Sequence, residues 1–78
     1  MLTTNPNSLV TQAFIFEHYG PRLGTEQICQ LLSITKPAMY NQISNGSFRL
    51  RTYMDAGKRW ADYRDAAAYF DEMRASAA

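Results

Sequence analysis

The sequence predicts a small, mainly α-helical domain with one β-hairpin, and three observations lead to this prediction. The chain has 78 residues, 46% of them hydrophobic, which is enough for one domain. Residues 25–46 contain two short runs of helical periodicity separated by a two-residue turn. Residues 48–53 then alternate as a strand does. We therefore expect a single domain over residues 1–78, with residues 1–7 and 75–78 frayed.

The first of the two central helices is expected over residues 26–32. Ile28, Leu31 and Leu32 stand at helical spacing and therefore share one buried face. Cys29 lies beside that face and is the only cysteine, so the chain cannot form an internal disulfide. We interpret Cys29 as a core thiol, and a reactive or interchain thiol is the alternative.

The second central helix is expected to begin after Thr35, whose hydroxyl can accept a hydrogen bond from a free backbone N–H. Pro37 lies in the first turn, where a missing N–H has little effect. Met39 and Ile43 face inward, and Gly46 supplies a left-handed stop. Two helices joined so closely must cross at a steep angle, which is the helix-turn-helix arrangement. In that motif the second helix enters the major groove of DNA.

A β-hairpin wing is expected to follow. Residues 48–53 form its first strand, and residues 55–58 form a turn in which Gly57 can take a positive φ. Residues 59–63 return as the second strand. A lone hairpin is marginally stable, so we expect Trp60 to anchor it on the helices. The ribbon would carry four cations suited to phosphate contact: Arg49, Arg51, Lys58 and Arg59.

A last helix is expected to begin near Asp62, a suitable N-cap, with Asp65 placed favourably for the helix dipole. Apolar residues then follow at helical spacing, which is typical of a helix that covers the core. These residues are Ala66, Tyr69, Phe70, Met73 and Ala77.

The first helix, expected over residues 8–19, is apolar over most of its circumference. We expect Leu9, Ala13 and Phe16 to face the inner core. Apolar surface is then left over, so the helix either lies deep in the fold or meets another subunit. A domain this small buries only about 60% of its unfolded surface, which favours self-association. The residues expected at a dimer contact are Phe14, Ile15 and Tyr19.

Charge is distributed unevenly along the chain, although the net charge is only +1. Residues 36–60 carry a net charge of +4, against −1 for residues 1–35 and −2 for residues 61–78. A basic but merely solvated face is the plain interpretation. The coincidence with the second central helix favours a nucleic-acid partner instead.

The residue pattern contains no constellation typical of an enzyme. His18 is the only histidine and no Cys/His cluster or glycine-rich phosphate loop accompanies it, so we expect no catalytic residue, no cofactor and no metal. There is no run of 18 apolar residues and no basic signal region at the N-terminus. We expect a cytoplasmic protein without a membrane segment.

The central segment resembles a known group of proteins. Glu26, Leu31, Leu32, Thr35, Lys36, Tyr40, Ile43 and Gly46 fall without a gap in the pattern of phage excisionases and AlpA-type regulators, within the MerR-like winged-helix group. The ends resemble the pyocin-activator proteins, through an apolar helix that ends in Tyr19-Gly20 and through Asp65, Ala67 and Tyr69. The resemblance implies a winged helix-turn-helix from a phage or mobile element.

Together these patterns predict a sequence-specific DNA-binding protein, mainly α with a β-hairpin wing. The resemblance implies a transcriptional regulator or an excisionase-like factor in a bacterial cell, and we expect it to bind double-stranded DNA as a homodimer. Lys36 should meet a phosphate. The full set of expected DNA contacts is Thr35, Lys36, Pro37, Ala38, Tyr40, Asn41, Ser44, Asn45, Arg49, Arg51, Lys58 and Arg59.

The sequence departs from the family pattern at two of these positions. Asn41 and Ser44 stand where related proteins commonly carry arginine. Asn can bond adenine through two hydrogen bonds, and small side chains can meet a thymine methyl group, but major-groove affinity is lower without those charges. This departure motivates an alternative hypothesis, in which a helix-turn-helix scaffold binds a host or phage protein instead of DNA.

Overall fold

The computed structural model describes residues 6–77, and side chains from residue 9 onward. It is mainly helical and has a small antiparallel sheet of three strands in the order β1-β3-β2. The elements in chain order are α1 (Pro6–Tyr19), β1 (Arg22–Gly24), α2 (Thr25–Leu32), α3 (Lys36–Ser44), β2 (Tyr53–Asp55), β3 (Lys58–Asp62) and α4 (Tyr63–Ser76).

The two central helices form where the sequence predicts them, with α2 starting one residue earlier, at Thr25. Ser33 adopts the left-handed conformation, at φ 57°, and so ends α2. The hydroxyl of Thr35 accepts a hydrogen bond from the backbone N–H of Ala38 at 3.2 Å, which confirms the predicted N-cap. Gly46 has φ 77° just beyond α3, as a helix stop requires.

The hairpin is shorter than predicted. Strands β2 and β3 pair around Ala56 and Gly57, which both have positive φ, as the common two-residue hairpin turn requires. The predicted strand over residues 48–53 is wrong, because only Tyr53 belongs to β2. Arg49 and Arg51 therefore lie in the loop that precedes the hairpin and not on the ribbon.

The alternation in that loop still describes its burial correctly. Leu50 is only 3% exposed, Phe48 packs against the core, and Arg49 and Arg51 point to solvent. Alternation therefore indicates which side chains are buried, and a strand forms only where a partner strand is available. The partner of β3 on its other side is β1, whose pairing the sequence analysis missed.

The core lies where α1, α2, α4 and the sheet meet. Helix α1 packs against α4 and β1, whereas α3 packs against α2. The thiol of Cys29 lies 3.6 Å from the sulfur of Met39, and both side chains are buried, so the core interpretation of the thiol is confirmed. The buried residues are Ile15, Leu23, Ile28, Cys29, Met39, Leu50, Ala61, Ala66 and Ala67.

The predicted orientation of α1 is wrong. Ile15, expected at a dimer contact, is 1% exposed and belongs to the core, and Tyr19 is half-buried against it. Leu9 and Phe16, expected inside, are 53% and 47% exposed, and Ala13 is exposed as well. Because apolar residues are spread over most of the circumference of this helix, its sequence pattern cannot select the inner face.

Helix α4 begins at the predicted cap. The Asp62 carboxylate accepts a hydrogen bond from the backbone N–H of Arg64 at 2.7 Å, and the Arg64 guanidinium also donates to it. The guanidinium is the main cause of the lowered pKa of Asp62. Residues 6–7 and 75–76, expected to fray, are helical. Residues 1–5 and 78 lie outside the described residues.

Candidate nucleic-acid interface

Helix α3 presents a continuous exposed face. Its outward positions recur at helical spacing, since residues 37, 40, 41, 44 and 45 are all exposed. None of them is charged, and Tyr40, 49% exposed, is the only large ring among them. Ala38 was expected on this face but is half-buried, and the next residue, Met39, lies in the core.

The two asparagines of this face are held differently. The side-chain oxygen of Asn45 accepts hydrogen bonds from the backbone N–H and the hydroxyl of Ser47, at 3.0 and 2.6 Å. Within the part of the chain that the structure describes, the side-chain amide of Asn41 has no such partner. The donors and the acceptor of the Asn41 side-chain amide are therefore free for a ligand. Asn45 instead stabilises the end of α3.

An open groove of about 640 Å³ separates this helix from the hairpin. Lys36 and Tyr40 form part of one wall, and Lys58 and Arg59 form part of the other. The Lys36 ammonium lies 3.7 Å from a carboxylate oxygen of Glu26, an exposed pair of small stabilising effect. The remaining groove residues are Gly24, Thr25, Glu26, Gln27, Met54, Gly57 and Trp60.

Two of the arginines are occupied within the fold. The Arg22 guanidinium bonds the Asp55 carboxylate at 2.8 Å, an interaction that raises the pKa of Arg22, and it lies 3.7 Å over the centre of the Trp60 ring. These contacts fasten the hairpin to β1, whereas the sequence predicted that Trp60 would anchor it on the helices. Arg64 is paired with Asp62 at the start of α4.

Other cations remain available for a ligand. Among residues 9–77, Arg49, Arg51 and Lys58 are exposed and take part in no ion pair. Arg59 donates one hydrogen bond to the Thr52 hydroxyl at 2.8 Å, and its guanidinium retains further donors. Lys58 and Arg59 thus line the groove beside α3. Arg49 and Arg51 lie in the loop that follows α3 and not on the ribbon, and Arg51 lines a separate pocket with Asp62 and Arg64.

The sequence analysis missed several residues of this region. Gln27 accepts a hydrogen bond from the backbone N–H of Gly24 at 3.0 Å and so supports the start of α2. Its position three residues after the end of β1 is the spacing typical of a capping box and could have indicated this role. The pairing of Arg22 with Asp55 spans 33 residues and leaves no local signal in the sequence.

Among the described residues there is no group of three His, Cys, Asp or Glu side chains that could hold a metal ion. The His18 ring is exposed and stacks on Phe14, with 5.1 Å between the ring centres. No helix in the described part of the chain is long and apolar enough to cross a membrane.

Comparison with known proteins adds no relative. No protein-family model, no curated protein and no solved structure matches this chain.

Proposed function

We propose that this protein is a winged helix-turn-helix protein that binds double-stranded DNA sequence-specifically, through the outer face of α3. The observation that supports this proposal most strongly is the neutral, exposed face of α3 beside a groove that Lys36, Lys58 and Arg59 line. A helix of this kind fits the major groove, and the cations fit the phosphates beside it.

The described elements suit this role in a simple way. A tight turn joins α2 and α3, and the two helices pack against each other. Thr35 caps the start of α3. Lys36 stands at the start of α3, where a phosphate would lie. The hairpin β2–β3 would act as the wing, with Lys58 and Arg59 near the sugar–phosphate backbone.

Base recognition is assigned mainly to Asn41. Its amide carries one acceptor and two donor hydrogens, which match the N6 and N7 groups of adenine in the major groove. Ser44 and Pro37 lie on the same exposed face and can contact neighbouring bases. Because this face is uncharged, most of the affinity must come from phosphate contacts, and binding should depend strongly on salt.

By resemblance of its central segment, the biological role is that of a transcriptional regulator or excisionase-like factor of a phage or mobile element, acting in the bacterial cytoplasm. The alternative is a scaffold that binds a host or phage protein without DNA. The exposed apolar face of α1 supports that alternative, because such surfaces usually contact protein.

Fluorescence anisotropy with a labelled duplex of random sequence, measured over a salt series, separates these two functions. A DNA-binding protein should bind at low salt, and the logarithm of its affinity should fall linearly with the logarithm of the salt concentration, by about 0.9 per phosphate neutralised. Selection of tight-binding duplexes from a random pool then supplies the preferred site. Absence of binding at low salt would refute the DNA-binding proposal and leave the scaffold.

A further inference from the structure

We propose that the outer face of α1 binds the same face of a second copy of this chain, with the two helices antiparallel about a two-fold axis. This face consists of six exposed positions: Leu9, Val10, Ala13, Phe14, Phe16 and Glu17. It belongs to a different part of the fold from α3, since α1 packs against α4 and β1. The inference is therefore independent of DNA binding.

The shape of this face suits a helix as its partner. Leu9 and Phe16 lie along one edge and Val10 and Phe14 along the other, so the small Ala13 occupies the middle, where two helices can approach closely. Beside Ala13 is an open groove of about 400 Å³, which is also lined by Leu9, Phe16 and the ring of Tyr63.

Phe14 is the most exposed aromatic side chain of this face. It is 57% exposed, and its ring is held by stacking on His18. In an antiparallel two-fold dimer each edge of the face meets the same edge of the other copy, so Phe14 of each copy packs against the Val10–Phe14 edge of the other.

Charge favours the antiparallel arrangement. The first turn of α1 contains no acidic residue, so the positive end of its helix dipole has no compensating carboxylate there. Glu17 lies near the opposite end of the outer face and forms no ion pair within the described chain. Antiparallel packing brings each Glu17 close to the first turn of the partner helix. In the dimer, each Glu17 carboxylate therefore compensates the positive N-terminal end of the other α1 helix.

The available area indicates a weak, reversible dimer. An aromatic side chain offers about 150–250 Å², so the exposed parts of Phe14 and Phe16 contribute roughly 200 Å² per copy. With Leu9 and Val10 the dimer buries roughly 600 Å² of apolar surface, or about 1,000 Å² in total with its polar rim. That total is close to the lower limit for a specific interface.

Sedimentation equilibrium without DNA, from low micromolar to millimolar protein, tests the proposal. The wild type should show a reversible monomer–dimer equilibrium. Phe14→Glu should weaken it by about 100-fold or more, because a carboxylate would be buried without a partner. Ala68→Glu adds the same charge at an exposed position of α4 and should leave the equilibrium unchanged. A wild type that stays monomeric throughout would overturn the proposal, whatever its affinity for DNA.

Cross-linking tests the position of the axis. Ala13→Cys places a thiol at the centre of the face, so under mild oxidation two copies should form a disulfide, whereas Ala68→Cys should not. The native Cys29 is buried and is the only other thiol, so it does not interfere. Equal cross-linking of both variants, or of neither, would contradict the antiparallel arrangement about Ala13.

Discussion

The outer faces of α1 and α3 expose side chains of opposite kinds. On α1, the exposed side chains include Leu9, Val10 and Phe14, which gain nothing from contact with water. On α3, the face that includes Asn41 and Ser44 is neutral and polar, with hydrogen-bonding groups that water satisfies at no cost. Apolar surface is stabilised by any matching apolar partner, whereas free amides and hydroxyls become useful only opposite a defined pattern of donors and acceptors.

This difference suggests a division of roles between the two helices. The α1 face is suited to association, where area matters more than the positions of individual atoms. The α3 face is suited to recognition, where the position of each polar atom decides the partner. Neither face supplies long-range attraction, because neither contains an unpaired cation. Each of the three predictions below tests one part of this division.

The largest effect is expected inside α1, where the two sides of the helix should differ most in stability. Ile15→Ala should lower the free energy of unfolding by about 2–5 kcal/mol, because Ile15 is 1% exposed and a cavity would remain. Phe14→Ala, one residue away and 57% exposed, should change it by much less. Thermal and urea unfolding, followed by circular dichroism at low protein concentration, measure both.

Comparable losses for the two α1 variants would mean that the inner and outer sides of the helix have been assigned wrongly. Ile15→Glu should unfold the protein, because it buries a charge in the core.

The contrast between the two helices also explains what the sequence could and could not predict. The bounds of α2 and α3 follow from local signals: the apolar spacing, the Thr35 cap and the stop at Gly46. These signals involve residues within a few positions of one another, so tertiary packing did not alter them. The orientation of α1 has no local signal, because a helix that is apolar on nearly all sides is placed only by the surface it meets.

The prediction of a strand over residues 48–53 was wrong for a related reason. The alternation over residues 48–53 correctly separated the buried Leu50 from the exposed Arg49 and Arg51, but strand pairing depends on a neighbour that is distant in sequence. The same holds for β1, a strand of three residues defined by its pairing with β3. At the candidate interface, the sequence could predict which polar residues lie on α3. Only the structure shows that the side-chain oxygen of Asn45 is already hydrogen-bonded to Ser47.

The second prediction compares the two asparagines of α3. Asn41→Ala should weaken binding to a selected site by about 1–3 kcal/mol and binding to random duplex by much less, because its free amide is assigned to base recognition. Asn45→Ala should reduce both affinities by similar, smaller amounts, since its oxygen is already bonded to Ser47. Anisotropy titrations on both duplexes at one salt concentration measure these differences. An equal loss on the two duplexes for Asn41→Ala would assign this residue to positioning instead of recognition.

The third and smallest effect is expected for the cations of the loop that follows α3, which should attract DNA without distinguishing sequences. Arg49→Ala combined with Arg51→Ala should weaken binding to selected and random duplexes by the same factor. The salt dependence should become shallower by up to about 1.8, or about 0.9 for each lost phosphate contact. Both arginines are exposed, so stability should change little.

A matched control separates contact from net charge. Arg74→Glu lowers the net charge by the same two units at an exposed position of α4, which packs against α1 and β3. Since long-range attraction depends on total charge, this control should slow association somewhat while leaving the salt slope nearly unchanged. If this control and the double variant lose affinity and slope equally, the loop makes no phosphate contact. The α3 side of the molecule would then differ from the α1 side in polarity alone.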